Sequence, residues 1–131
     1  MLPAHHRLRT PEDFRAASRR GRRAGSRTVV AHLLRTDASQ VVDVSPNEGT
    51  ADPRIGFVVS KAVGTAVTRN RVKRRLRHAA AHRLDRLTSG SLLVVRAQPS
   101  AAEASYQELA ADLDRCLDRL LSSAQTEQVT R

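Results

Sequence analysis

Apolar residues recur along this chain at two spacings, and the switch between them lays out the elements. Val72, Leu76, Ala79, Ala80 and Leu87 form one stripe, and Tyr106, Leu109, Ala110, Leu113, Leu117 and Leu120 form a second. Recurrence every three to four residues puts each set on one side of a helix. Between the stripes, Ser91 to Ala97 holds Leu92-Leu93-Val94-Val95, an apolar run short enough to be a strand buried on both faces. Two more strands are predicted. Arg27 to Arg35 contains Thr28-Val29-Val30-Ala31-His32-Leu33-Leu34, rich in β-branched and apolar residues, and from Arg54 to Ser60 Ile55, Phe57 and Val59 alternate with Gly56 and Val58.

Polar and punctuating residues set the boundaries. Thr10-Pro11-Glu12-Asp13 supplies a cap, a proline for the first helical position and acids for the first turn, which predicts a helix over about 11–20 ending near Gly21. Residues 19–27 are expected to form a basic turn. Gly64 and Thr65 break and cap ahead of the first stripe, whose helix is expected to reach about Leu87, and Thr88-Ser89-Gly90 turns the chain. Pro99 ends the last strand, and Ser100-x-x-Glu103 is expected to be the capping box of the final helix. Residues 1–9 read as an extended basic arm, about 36–53 as a long surface loop around a weak Val41-Val42 patch, and about 124–131 as a frayed polar tail. A single domain over 1–131 follows, of order αβ(β)βαβα and α+β sandwich class.

Charge adds a partner to this picture. The chain has 23 Lys plus Arg against 13 Asp plus Glu, net +10, so a polyanion is the natural ligand of so small a body. The excess is uneven: residues 1–97 carry 20 basic and 7 acidic groups, and residues 98–131 carry 3 and 6. The polyanion is therefore expected to meet the first three quarters. All but Lys61 and Lys73 of the basic residues are Arg, whose planar fork suits phosphate and base contacts. No apolar run approaches the ~20 residues that span a bilayer, and the N-terminus shows no apolar signal core, so a cytoplasmic protein without a membrane is expected. The single Cys116 excludes an intrachain disulfide, and its helical spacing with Leu109, Leu113 and Leu120 assigns it to packing.

On a helical wheel, Asn70, Arg71, Lys73, Arg74, Arg75, Arg77 and His78 occupy an arc opposite Val72, Leu76 and Ala79. Like charges at i,i+4 repel, and a bound polyanion relieves that cost. Arg69 falls nearer the apolar edge, and Arg83 falls within the stripe, where it must snorkel or find a partner. Asn70 cannot neutralise phosphate; it offers a donor and an acceptor to a base, a 2′-hydroxyl or the backbone. A second basic cluster, Arg15, Arg19, Arg20, Arg22, Arg23 and Arg27, lies beside Phe14, and cations bordering a stacking ring suit single-stranded RNA.

The string Arg69-Asn70-Arg71-Val72-Lys73-Arg74-Arg75-Leu76-Arg77 resembles the RNR signature of the bacterial ribonuclease P protein family, filling the pattern RNRxKRxxR. Arg7-Leu8 with Glu12-Asp13-Phe14 resembles that family's N-terminal helix start, and Arg54 to Lys61 its strand leading into the RNR helix, so the likeness runs from about Arg7 to Leu120. The resemblance implies an αβββαβα sandwich like the second domain of ribosomal protein S5, with a left-handed βαβ crossover, where general topology would predict the right-handed form. It implies a protein subunit that binds the catalytic RNA of ribonuclease P and the 5′ leader of precursor tRNA and assists endonucleolytic removal of the leader. The RNA would perform the chemistry with Mg²⁺; no catalytic residue is expected in the protein, no metal or cofactor bound by the protein can be read from its sequence, and no obligate protein partner is evident. It assigns Arg69, Asn70, Arg71, Lys73, Arg74 and Arg77 to the catalytic RNA. It assigns Phe14, Arg15, Ser18, His32 and Lys61 to a leader-binding cleft, in which Ser18 stands where a second Phe is common and His32 where Tyr is common. Losing one base–aromatic stack removes roughly 1–3 kcal/mol, which shifts weight onto Arg15, Arg19 and other cations.

Blander readings accompany several of these residues. Phe57, alternating with Ile55 and Val59, fits plain core, and Phe14 fits core or cleft equally. His5 and His6 fit a solvated arm, and no His or carboxylate spacing stands out as a ligand set. A general RNA- or DNA-binding or ribosomal protein using the same helix is the alternative. An enzyme acting alone lacks an acid–base or nucleophile arrangement, a basic zipper lacks leucine heptads, and a membrane-surface helix lacks a Trp- or Phe-rich face.

Overall fold

The computed structural model describes residues 11–35, 53–87 and 90–129. The basic arm at 1–9, Thr10, all but the last residue of the expected 36–53 loop, and Thr88-Ser89 lie outside the described residues. Helix α1 spans Pro11–Arg20, β1 Arg22–Gly25, β2 Val29–Arg35, β3 Arg54–Val58, α2 Ala66–Ala81, β4 Ser91–Ala97 and α3 Tyr106–Val129. The order is αβββαβα, as predicted. The extra strand is β1, ahead of β2 in the stretch expected to be a basic turn; the optional strand of the predicted order fell after β2, outside the described residues. Two arginines, one alanine and a glycine carry no strand pattern. Pairing with β2 makes the strand, with Arg23 opposite His32 and Ala24 opposite Ala31.

The sheet order is β1-β2-β4-β3, antiparallel except for the pair β3 and β4, which α2 joins in a βαβ crossover. β4 is central, which explains its unbroken apolar run. Leu93 and Val95 join Leu33 and Ile55 beneath α2 and α3, while Leu92 and Val94 turn to the opposite face with Leu34, Val58 and the α1 residues Phe14 and Ala17. The larger core is thus closed by two helices, and among the described residues the other face is only partly covered by one. Gly21 sets how closely α1 approaches the sheet: a Cβ there would stand 2.3 Å from the Ala17 carbonyl oxygen and 2.8 Å from that of Leu33. No larger residue fits that junction.

Three boundaries differ from expectation. α2 ends at Ala81 and a 3-10 turn follows at Leu84–Arg86, because Arg83 folds back onto the Ala79 carbonyl and the α3 carboxylate of Asp114; Leu87 is still buried, but from extended backbone. The segment Pro99–Glu103 is a 3-10 turn, not the start of α3. The capping box is Ser105 with Glu108: the Ser105 N–H donates to the Glu108 carboxylate and the Glu108 N–H to Ser105 Oγ, both at 3.1 Å. Ser100 instead donates to the Arg27 carbonyl. α3 continues to Val129, past Ser123, where the polar composition suggested fraying.

α3 is held to the start of β2 by a buried polar contact. Asp112, on α3, accepts from the Thr28 N–H at 3.2 Å and from its hydroxyl at 2.5 Å, and Arg115 covers the other carboxylate oxygen at 2.7 Å. Cys116, one turn on, is buried as expected, and burial pushes its thiol pKa up, so it behaves as packing.

Candidate nucleic-acid interface

α2 begins where Thr65 Oγ1 accepts the Thr68 N–H at 3.3 Å, just after Gly64, whose φ of 153° favours glycine. Val72, Leu76, Ala79 and Ala80 are buried against the sheet and α3. That anchoring turns the opposite side outward as a groove of about 780 Å³ lined by Val67, Asn70, Arg71, Lys73, Arg74, Arg77 and His78. Five of the six RNR residues therefore line one surface. Among the described residues no carboxylate pairs with Lys73, Arg74 or Arg77. Val67, 76% exposed, adds an apolar patch among the cations, where a sugar or base can rest.

The remaining motif arginines are less free than the wheel suggests. Arg69 is half-buried, does not line the groove, and its Nε is buried without a partner. Arg71 lines the groove but donates to the Ala102 carbonyl at 3.3 Å, and Arg75 donates to the Ala104 carbonyl at 2.8 Å. These two bonds tie α2 to the turn ahead of α3. Arg71 thus serves both surface and scaffold, and Arg74 and Arg77 are the clean probes of the groove.

On the sheet face shared with α1, strand register sets the second surface. Arg23, His32 and Val94 stand in one row across β1, β2 and β4, and Val30, Arg96 and Val58 in the next across β2, β4 and β3. Phe14 and Ser18 of α1 are half-buried, and Phe14, like Leu34, Val58 and Leu92, packs against the buried pair Ala17 and Val94. His32 is 8% exposed, and its Nδ1 is buried without a partner. Burial lowers its pKa, and the nearby Arg96 and Arg23 guanidiniums lower it further, so the imidazole is neutral at pH 7 and offers a donor and an acceptor.

Arg15 is exposed, with Nε donating to the Pro11 carbonyl at 3.4 Å, and Lys61 is exposed in the 3-10 turn beyond β3. Phe14 and His32 thus share a face, while Lys61 lies past the end of its strand. Sequence reasoning missed Arg96 as part of this surface. Its signal was available: it is the only charged residue in β4 and alternates with Val94 and Leu92. Val30 and Val58, read only as strand residues, form the apolar floor.

No group of three or more His, Cys, Asp or Glu among the described residues is arranged to hold a metal ion, and no helix among them is long and apolar enough to cross a membrane.

A family model described as Ribonuclease P matches residues 2–121 of the chain. The chain is 55% identical over 121 residues to a ribonuclease P protein component of Streptomyces bikiniensis, covering 92% of this chain and 96% of that one. It is 50% identical over 121 residues to that of Corynebacterium diphtheriae, covering 92% and 97%. Among solved structures it is similar to the RNase P protein of Staphylococcus aureus, with TM-score 0.69 at 22% identity over 86% of this chain and 93% of that one. The RNase P protein of Thermotoga maritima is similar at TM-score 0.67 and 21% identity, over 86% and 96%. These two likenesses concern the fold.

Proposed function

The chain belongs to the bacterial ribonuclease P protein family and serves as the protein subunit in processing the tRNA 5′ end; from that premise we propose how its two surfaces divide the work. The α2 groove binds the catalytic RNA of ribonuclease P through Asn70, Arg71, Lys73, Arg74 and Arg77, with Arg69 at its edge. The face between α1 and the sheet, with Phe14, Ser18, His32, Arg15 and Lys61 joined by Arg23 and Arg96, receives the 5′ leader of precursor tRNA.

The observation that carries this reading is the row of cations along α2 that meet no carboxylate among the described residues. Each such cation that meets a phosphate releases condensed counterions, so binding is strong at low salt and falls steeply as salt rises. The leader surface works differently. Phe14 offers one stacking face, Val30 and Val58 an apolar floor, Arg23 and Arg96 phosphate contacts, and neutral His32 a hydrogen-bonding partner for a base edge or 2′-hydroxyl.

Chemistry belongs to the RNA subunit, with Mg²⁺ ions that the RNA holds; the protein's residues bind, orient and screen phosphate repulsion between two RNAs. Screening of that kind lowers the Mg²⁺ concentration at which the RNAs associate. The reading places the chain in the cytoplasm with its tRNA precursors.

Reconstitution of the full chain with ribonuclease P RNA, assayed on precursor tRNA at low Mg²⁺, tests this. The expected result is protein-dependent cleavage at the 5′ junction, with tighter substrate binding as the leader lengthens. Cleavage by the chain without RNA would overturn the division of labour. Equal affinity for substrates with and without a leader would overturn the assignment of the sheet face.

A further inference from the structure

His78 and His82 stand one turn apart at the C-terminal end of α2, both exposed, with their Nε2 atoms 3.4 Å apart. Within the protein that approach is met by at most one N–H···N bond, longer than an ordinary one. Two nitrogens held about 2.0–2.1 Å from one tetrahedral ion stand about 3.3–3.4 Å apart. The observed separation is that bite. Histidines at i and i+4 on a helix are also spaced so that both imidazoles reach one ion.

Ring geometry supports convergence of the nitrogens. The two rings meet edge-on, with centroids 4.9 Å apart and planes at 75°, instead of stacking. Tyr106 packs edge-on against His78, at 5.3 Å and 66°, and limits its ring rotation. The site sits at the carbonyl end of α2, where the helix dipole favours a cation. Imidazole selects zinc, nickel or copper over magnesium, which prefers oxygen ligands.

No third His, Cys, Asp or Glu joins the pair among the described residues, so part of an ion's coordination shell is left to outside ligands. His78 also lines the cationic groove with Asn70, Arg74 and Arg77. We infer that His78 and His82 form a two-histidine chelate for a divalent transition ion of the zinc class, whose open positions accept a phosphate oxygen of RNA lying in the groove. The chelate stands on its own geometry, and the phosphate contact rests on the RNA-binding reading above. The surrounding arginines oppose a bare dication, and a phosphate relieves that repulsion. Ion and RNA then raise each other's affinity by the same factor.

Zinc is titrated into the full chain while the imidazole Hε1 resonances are followed by NMR, in a His5→Ala/His6→Ala background that removes the histidines of the arm. The His78 and His82 signals are expected to move together with one-to-one stoichiometry, and Mg²⁺ is expected to leave them in place. His82→Ala should weaken zinc binding at least about tenfold, since even second-shell losses at metal sites cost that much. Affinity for ribonuclease P RNA at fixed salt is then measured with and without zinc. A gain of about fivefold or more is expected in the parent background, and no gain in His82→Ala. Unmoved or uncoupled His78 and His82 signals in the protein alone would overturn the chelate. Zinc binding with no change in RNA affinity would overturn the phosphate contact, leaving RNA binding itself to the Arg74 and Arg77 variants.

Discussion

Arginines along α2 and arginines just beyond its end are treated in opposite ways. Arg83 forks onto Asp114, Nε to Oδ1 at 2.6 Å and Nη2 to Oδ2 at 2.9 Å, and Arg86 bridges Asp114 at 3.3 Å and Asp118 at 2.5 Å. Arg74 and Arg77, two turns earlier, meet no carboxylate among the described residues. The acidic last quarter of the chain is therefore not a separate acidic surface. Part of it supplies counterions for arginines that must lie against α3, so positive potential is left along α2, where no acid among the described residues reaches. The arginine run from Arg69 to Arg86 becomes a directed surface because packing neutralises a subset of it.

Substitutions can break that contrast at several depths. The largest effect is expected from Val72→Asp, which puts a carboxylate at a fully buried position beneath the groove. Burying an unpaired charge costs more than about 4 kcal/mol, so the cooperative unfolding transition in urea should disappear. A folded variant with parental RNA affinity would show that the wrong face of α2 is taken as core.

Arg83→Ala should cost about 1–2 kcal/mol of stability, between surface and buried ion pairs, because the side chains are 18% and 39% exposed. RNA affinity of the folded fraction should be unchanged, which separates this arginine from Arg74. The same pair gives a pH signature. The hydrogen bond from Arg83 holds the Asp114 pKa below its usual value, and the nearby Arg86 charge adds to this. A depressed carboxylate pKa stabilises the fold above its unfolded value of about 3.9 and loses that contribution as pH falls through the folded value. Asp114→Asn should therefore flatten the acid limb of stability, measured by urea midpoints below about pH 5. An unaltered limb would mean that the pair is not formed in solution.

Arg74→Ala with Arg77→Ala should leave urea stability within about 0.5 kcal/mol and weaken RNA binding by about 1 kcal/mol per lost contact. Its sharper mark is a salt dependence of log Kd shallower by about two, one unit for each phosphate contact. A parental slope would mean that these cations face water in the complex. Smallest is Ser105→Ala, about 1 kcal/mol or less from the α3 cap, read as a lowered Tm with RNA binding intact.

Much of this contrast was legible before the fold. The α2 stripe and its cationic arc follow from helical period alone, and the pattern of Arg69 to Arg77 is specific enough to carry a family resemblance. Arg83 was conspicuous because its angle put a charge in an apolar stripe, and the fork onto Asp114 resolves it. The capping box was ambiguous because Ser100-x-x-Glu103 and Ser105-x-x-Glu108 are equivalent strings; the choice falls to the frame that leads directly into Leu109, Leu113 and Leu117. The edge strand β1 was illegible, since its pattern has one buried residue and its structure comes from β2.

By itself, then, the sequence determined which side of each helix is apolar, where the central strand runs, and that an arginine-rich helix seeks a polyanion. Those are local properties, set by the period of the backbone and the charge of the side chains. Only the tertiary structure decided which arginines stay available, that Arg96 and Arg23 join His32 and Phe14 on one face, and that His78 and His82 meet at Nε2. Those outcomes depend on contacts between residues far apart in the chain. Pairing of Arg83 with Asp114, or of Arg23 with His32 across two strands, is fixed only when the core beneath them closes.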